Sequence, residues 1–208
     1  MSTSLIVIGH PDDECFMGAS IAKFVSEGHQ VYVGALADGE TSRIGAIADA
    51  VMTRQQKQDA AAQVLGCQVL EGPSCLDQRL DARELLDLTQ MVEAWIWQVK
   101  PSVVYTHSPH DLNADHRRVY EAVLPAVRPK SGVQAVYCFE GPRMLQFTPT
   151  SFVAVTEAHL KQQQEALRCY GDELSGGEWE LIKARAVECG YHVGVPYAEG
   201  FEVVRECR

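Results

Sequence analysis

Clusters of positive charge are missing from this chain of 208 residues. Against 28 Asp and Glu stand 18 Lys and Arg, a net charge of −10, and no basic run is longer than Arg117-Arg118. That leaves no electrostatic footprint for a phosphate backbone, so no nucleic-acid partner is expected. Long apolar runs are also missing. The first, Leu5-Ile6-Val7-Ile8, is too short for a signal-peptide core and has no basic leader, and nothing elsewhere approaches a membrane span. A soluble, cytoplasmic protein without membrane insertion is expected. Seven cysteines, at 15, 67, 75, 138, 169, 189 and 207, form an odd set with no CxxC. This argues against a disulfide framework or a thiolate-held zinc and for reduced, mostly buried thiols. Any metal must be held by His and carboxylate. Repeats and low-complexity tracts are absent. So is the G-x-G-x-x-G loop that a dinucleotide needs, because the first apolar run leads into Gly9-His10-Pro11-Asp12-Asp13.

What is present is an alternation of short β-rich runs with longer helical patterns, the mark of parallel strands joined by crossover helices. Strands are expected at Ser4–Ile8, Gln30–Leu36, Cys67–Leu70, Ser102–Thr106, Gln134–Phe139 and Phe152–Val155. Helices are expected at Ala19–Glu27, Arg54–Leu65, Ala82–Val99, Ala114–Val127 and Glu157–Tyr170, several closed by glycine or proline stop signals. The expected fold class is α/β, a Rossmann-like three-layer sandwich with a mostly parallel central sheet. It forms one domain over residues 1–208, with the part from about 150 onward packed on the core. Beyond Tyr170 a loop is expected at Ser175-Gly176-Gly177, followed by a tail of unassigned order that can serve a homo-oligomer interface.

In open α/β sheets ligands bind outside the carboxyl ends of the strands. After the first strand stand Gly9-His10-Pro11-Asp12-Asp13-Glu14, and after the fourth His107-Ser108-Pro109-His110-Asp111-Leu112-Asn113-Ala114-Asp115-His116. A hydrolytic zinc takes three His or carboxylate ligands and leaves a position for water. His10 and Asp13 can supply two from one turn and His116 the third, with Asp12 beside the ion but not on it. Taken singly these residues also have ordinary uses: Asp-Asp-Glu suits a helix N-terminus, Asn113 can be a plain N-cap, and His107 and His110 can be solvated loop residues. A His and an Asp in one loop, with a second His in another, favour the metal.

His-Pro-Asp-Asp-Glu after the first strand, with Asn-x-Asp-His after a central strand, resembles the LmbE/PIG-L family of zinc-dependent N-deacetylases. Further similar segments are Asp38-Gly39-Glu40, Arg54, Asp77-Gln78-Arg79-Leu80-Asp81 and Tyr197-Ala198-Glu199-Gly200-Phe201. The resemblance implies a Zn2+ cofactor, with Fe2+ or another divalent ion also compatible, held by His10, Asp13 and His116. It implies Asp12 as general base and Arg54 and Asp77 as contacts to substrate hydroxyls. The substrate class implied is a small amino sugar or amino-sugar conjugate, losing an N-acetyl or other N-acyl group to a zinc-activated water. Many members carry a His that polarises the carbonyl where this chain has Asn113. Asn113, His110 or His107 then takes that task, with Asp115 orienting whichever does. Family members commonly have a Glu where this chain has Lys57. The alternatives are a zinc amidase acting on another N-acyl or thiol-conjugate substrate, and a metal-binding homologue without turnover.

Overall fold

The computed structural model of the protein describes residues 2–42, 48–72, 75–171 and 177–207. Five strands run parallel: β1 (Thr3–Ile8), β2 (Gln30–Ala35), β3 (Gln68–Val69), β4 (Val103–Thr106) and β5 (Ala135–Phe139). β6 (Ser151–Ala154) and β7 (Ala198–Glu206) complete one seven-stranded sheet in the order β3-β2-β1-β4-β5-β7-β6, with β7 antiparallel to both neighbours. The helices are α1 (Gly18–Ser26), α2 (Ala48–Leu65), α3 (Leu85–Val99), α4 (Ala114–Ala126), α5 (Glu157–Cys169) and α6 (Glu178–Val193).

Alternation along β1 explains the three layers. Ile6 and Ile8 join a core with Ile21, Ala61, Leu65 and Leu167 from α1, α2 and α5, while Leu5 and Val7 join a second core with Leu88, Val92, Val119 and Val123 from α3 and α4. A strand covered on both faces must be apolar at every position. The expected strands and helices lie within a few residues of those observed, with two exceptions. α2 begins at Ala48 rather than Arg54, and the tail after Tyr170 contributes α6 and β7. β7 sits inside the sheet between β5 and β6, which gives the tail of unassigned order its place. Ser175 and Gly176 of the expected loop lie outside the described residues. No helix among the described residues is long and apolar enough to cross a membrane.

β7 is tied down by Glu199. Its buried carboxylate accepts the N–H groups of Ser20 at 2.7 Å and Ala19 at 3.3 Å in the first turn of α1, and the amide of Gln163 at 2.8 Å from α5. Burial nevertheless outweighs these bonds and pushes its carboxyl up to about 7. An acid with a raised folded pKa holds its proton in the folded state after the unfolded chain has lost it. Stability therefore falls as pH rises from about 4.5 towards 7, by about 3 kcal/mol at most. Thermal melts of wild type and Glu199→Gln across that range are expected to diverge, with the variant losing this part of the slope. Parallel curves would refute it.

Candidate metal centre

The strand order reverses between β1 and β4, which pair in parallel with Val7 opposite Thr106. The two loops that leave these strands therefore face one crevice. His10 and Asp13 leave β1 in a tight turn, and His116 stands in the first turn of α4. His10 Nδ1 lies 3.3 Å from His116 Nε2 and 3.5 Å from Asp13 Oδ2, and His116 Nε2 lies 3.2 Å from Asp13 Oδ2. Ligands about 2.0–2.1 Å from a tetrahedral ion stand roughly 3.3 Å apart, so one ion fits these three atoms.

The other nitrogen of each imidazole supports the same reading. His116 Nδ1 is 2.9 Å from Asp111 Oδ2, and His10 Nε2 is 3.0 Å from both Asp115 Oδ2 and Asp77 Oδ1. Carboxylates behind metal-binding imidazoles fix the tautomer and raise ligand basicity. Burial opposes charge on His116, yet Asp13 and Asp111 hold it up at about 9, and His10 is likewise held well above its ordinary value by Asp115, Asp13 and Asp77. Asp13 is held low despite its burial, with His116 the main cause. A field that favours positive charge on the imidazoles also favours a cation between them. Close approach at this point requires Gly9, where a Cβ would stand 2.9 Å from His116 Cδ2 and 3.3 Å from Asp13 Oδ2.

Asp12 occupies the cleft beside these ligands in an unusual left-handed conformation, φ 114°. Its Oδ2 accepts from Arg54 Nη2 at 2.6 Å, and its N–H is held by Glu14 Oε2 at 3.0 Å. Burial and the neighbouring Asp13 push Asp12 up to about 8, against the pull of Arg54. The cleft has a volume of about 500 Å³ and is also bordered by Phe16, Ser42, Gln78, Leu112, Arg143 and Glu178. A larger, apolar groove beside Trp97 and Lys130 lies where β4 and β5 begin, away from the ligand cluster.

The other expected site residues are distributed unevenly. Arg54 and Asp77 border the cleft, but both are buried and engaged, Arg54 on Asp12 and Asp77 on His10 and Ser42. Asn113 borders it too, with its Oδ1 accepting the Asp115 N–H at 2.9 Å as the N-cap of α4. Three expectations need correction. Asp115 faces away from the cleft: its carboxylate accepts the N–H groups of Gln78 and Leu80 and backs His10, rather than orienting Asn113, His107 or His110. His107 is buried behind the ligands, stacked on His116 at 3.8 Å between centroids, and accepts the Gly9 N–H at Nε2, with burial the main cause of a pKa lowered to about 4. His110 is exposed and does not border the cleft. Among the residues the sequence did not single out, Asp111 had one available signal, a carboxylate close in sequence to a ligand His. Glu14 had another, its place in the His-Pro-Asp-Asp-Glu run. Tyr170, from a distant helix, had none.

A model of the family described as PIG-L, GlcNAc-PI de-N-acetylase, matches residues 5–127, more than half of the chain and both loops of the site. The chain belongs to the PIG-L family. The PIG-L chain is also 28% identical over 172 residues to the protein named uncharacterized deacetylase YaiS of Escherichia coli K12, covering 79% of this chain and 88% of that one. Among solved structures, GalB, the 4-carboxy-2-hydroxymuconate hydratase of Pseudomonas putida KT2440, matches with TM-score 0.84 and 24% identity, covering 100% of this chain and 98% of that one. The N,N'-diacetylchitobiose deacetylase of Pyrococcus horikoshii matches with TM-score 0.77 and 19% identity, covering 98% and 84% respectively. The structural likenesses establish a shared fold.

Proposed function

We propose that this PIG-L protein is a divalent-metal hydrolase, with zinc the first candidate ion, that removes an N-acetyl or other N-acyl group from an amino sugar or amino-sugar conjugate. The observation that carries the reading is three ligand atoms at tetrahedral spacing with Asp12, a non-ligating carboxylate, beside them in an open cleft. A divalent ion held by His10, Asp13 and His116 would polarise the amide carbonyl and lower the pKa of a water. Asp12 is the proposed base. Arg54 occupies its Oδ2, so Oδ1 takes the proton from the attacking water and returns it to the departing amine. Asn113 spends its oxygen on the helix cap and leaves its NH2 to donate to the developing oxyanion. Arg54 and Asp77 are the proposed contacts to substrate hydroxyls. The deacetylase names of the family and of YaiS support the amide chemistry.

One observation favours a second reading. The GalB fold covers the whole chain, and a hydratase would use the same base and the same polarising ion to add water to an alkene conjugated with a carbonyl. Acetate release from a panel of N-acetylated amino sugars, run beside hydration of an unsaturated dicarboxylate, separates the two. The expected result is acetate release that falls to background in a chelator and returns with zinc or iron. Loss of the dicarboxylate's ultraviolet absorbance without acetate release would replace the deacylase reading by the hydratase one.

A further inference from the structure

Asp12 is held from two directions, and both lines converge on Tyr170. Tyr170 caps the C-terminus of α5 and is fully buried. Its O–H donates to Glu14 Oε1, and Glu14 Oε2 accepts the backbone N–H of Asp12 at 3.0 Å. Its ring lies under the Arg54 guanidinium, 5.3 Å from centroid to Cζ, and Arg54 Nη2 reaches Asp12 Oδ2 at 2.6 Å. One turn further along α2, Lys57 Nζ donates to the Tyr170 carbonyl at 3.4 Å, so the residue that departs from the family's usual Glu grips the same tyrosine.

The geometry points to Tyr170 as a positioning residue for Asp12, acting on its backbone through Glu14 and on its carboxylate through Arg54. A non-glycine residue at φ 114° is strained and persists only where its surroundings over-determine it. Glu14 supplies the bond that holds the backbone in this conformation. The guanidinium over the ring meanwhile engages Oδ2 and leaves Oδ1 of this cleft-lining residue for the proton. A ring at cation–π distance from a guanidinium restrains its position. The phenol does not touch substrate; it sets where the carboxylate points. The inference rests on Asp12 being the base of the reading above.

The test is steady-state kinetics of the full chain, loaded with zinc, for wild type and Tyr170→Phe, which keeps the ring and removes the hydroxyl. Expected is a kcat lowered roughly tenfold to a hundredfold, the cost of misplacing a reacting group by about 1 Å, with KM within about twofold and metal content unchanged. A lowered melting temperature with unchanged kcat per loaded enzyme would overturn the assignment. Should Tyr170→Phe not fold because Glu14 is left buried without its donor, the double variant Glu14→Gln with Tyr170→Phe removes that charge and still lacks the link, and the same kcat loss is expected. Glu14→Gln alone can bond both Tyr170 and the Asp12 N–H and is expected to recover most of the activity. If wild type releases no acyl group, the deacylase reading fails on its own. The positioning role is then decided by the crystal structure of Tyr170→Phe: departure of Asp12 from its positive φ supports it, and Asp12 unmoved with Arg54 still on Oδ2 overturns it.

Discussion

Replacing Asp12 by Asn is expected to leave one equivalent of metal bound while turnover falls roughly 10²–10⁴-fold, the usual contribution of a positioned general base. The separation of the two effects follows from the geometry. Asp12 belongs to none of the three-residue groups whose atoms converge within ligand distance, whereas Asp13 supplies the oxygen that lies near His10 Nδ1 and His116 Nε2. An Asn side chain keeps the volume and can still accept from Arg54, so the cleft retains its shape, but the amide has no basic oxygen for the proton. Asp13→Asn should do the reverse first, emptying the site. Metal analysis of both variants beside their kinetics checks the assignment. Loss of metal from Asp12→Asn would move Asp12 into the ligand set, and full activity in a metal-loaded Asp12→Asn would remove it from the mechanism.

The second large effect is expected behind His116, at the buried wall of the cleft. Asp111 is buried, accepts from His116 Nδ1 with one oxygen at 2.9 Å, and holds the Asn113 N–H with the other at 2.8 Å. Asp111→Asn preserves the shape but sets an amide against the imidazole that needs an acceptor. Metal affinity is expected to fall roughly 10–100-fold, as for other carboxylates behind metal-binding histidines. His10 is backed by two carboxylates, Asp77 and Asp115, so Asp115→Asn should cost less than Asp111→Asn. Competition titrations against a chromophoric chelator give both constants. Equal affinities in wild type and Asp111→Asn would show that Asp111 does not tune His116.

These two variants also mark how far the sequence could be read. Asp12 and Asp13 stand out in a five-residue run after an apolar strand, because a strand end is where an α/β sheet exposes polar side chains to a ligand. Asp111 stands in the second such loop, yet nothing in the linear chain distinguishes it from Asp115 as the partner of one imidazole or another. The two carboxylates face opposite ways: Asp115 leans onto the loop carrying Gln78 and Leu80, while Asp111 turns under His116. The same holds for the histidines. His107, His110 and His116 share a loop, but only His116 lies at ligand spacing with His10 and Asp13. His107 is carried into the layer behind it, and His110 to solvent.

The sequence by itself determined the α/β alternation, the parallel strands from β1 to β5, the two loops that meet at the reversal of strand order, and the family. Those features rest on local periodicity and short-range chemistry, which a linear chain displays. The tertiary structure alone decided which carboxylate backs which imidazole, that β7 enters the sheet antiparallel with Glu199 on the first turn of α1, and that Tyr170 reaches Asp12 through Glu14 and Arg54. β7 carries Gly200 and four charged residues without period-two spacing on a half-exposed strand, so its pattern is weak in isolation. Each of the other partnerships joins residues distant in the chain or chooses among like residues in one loop, and their directions are set only when the layers pack.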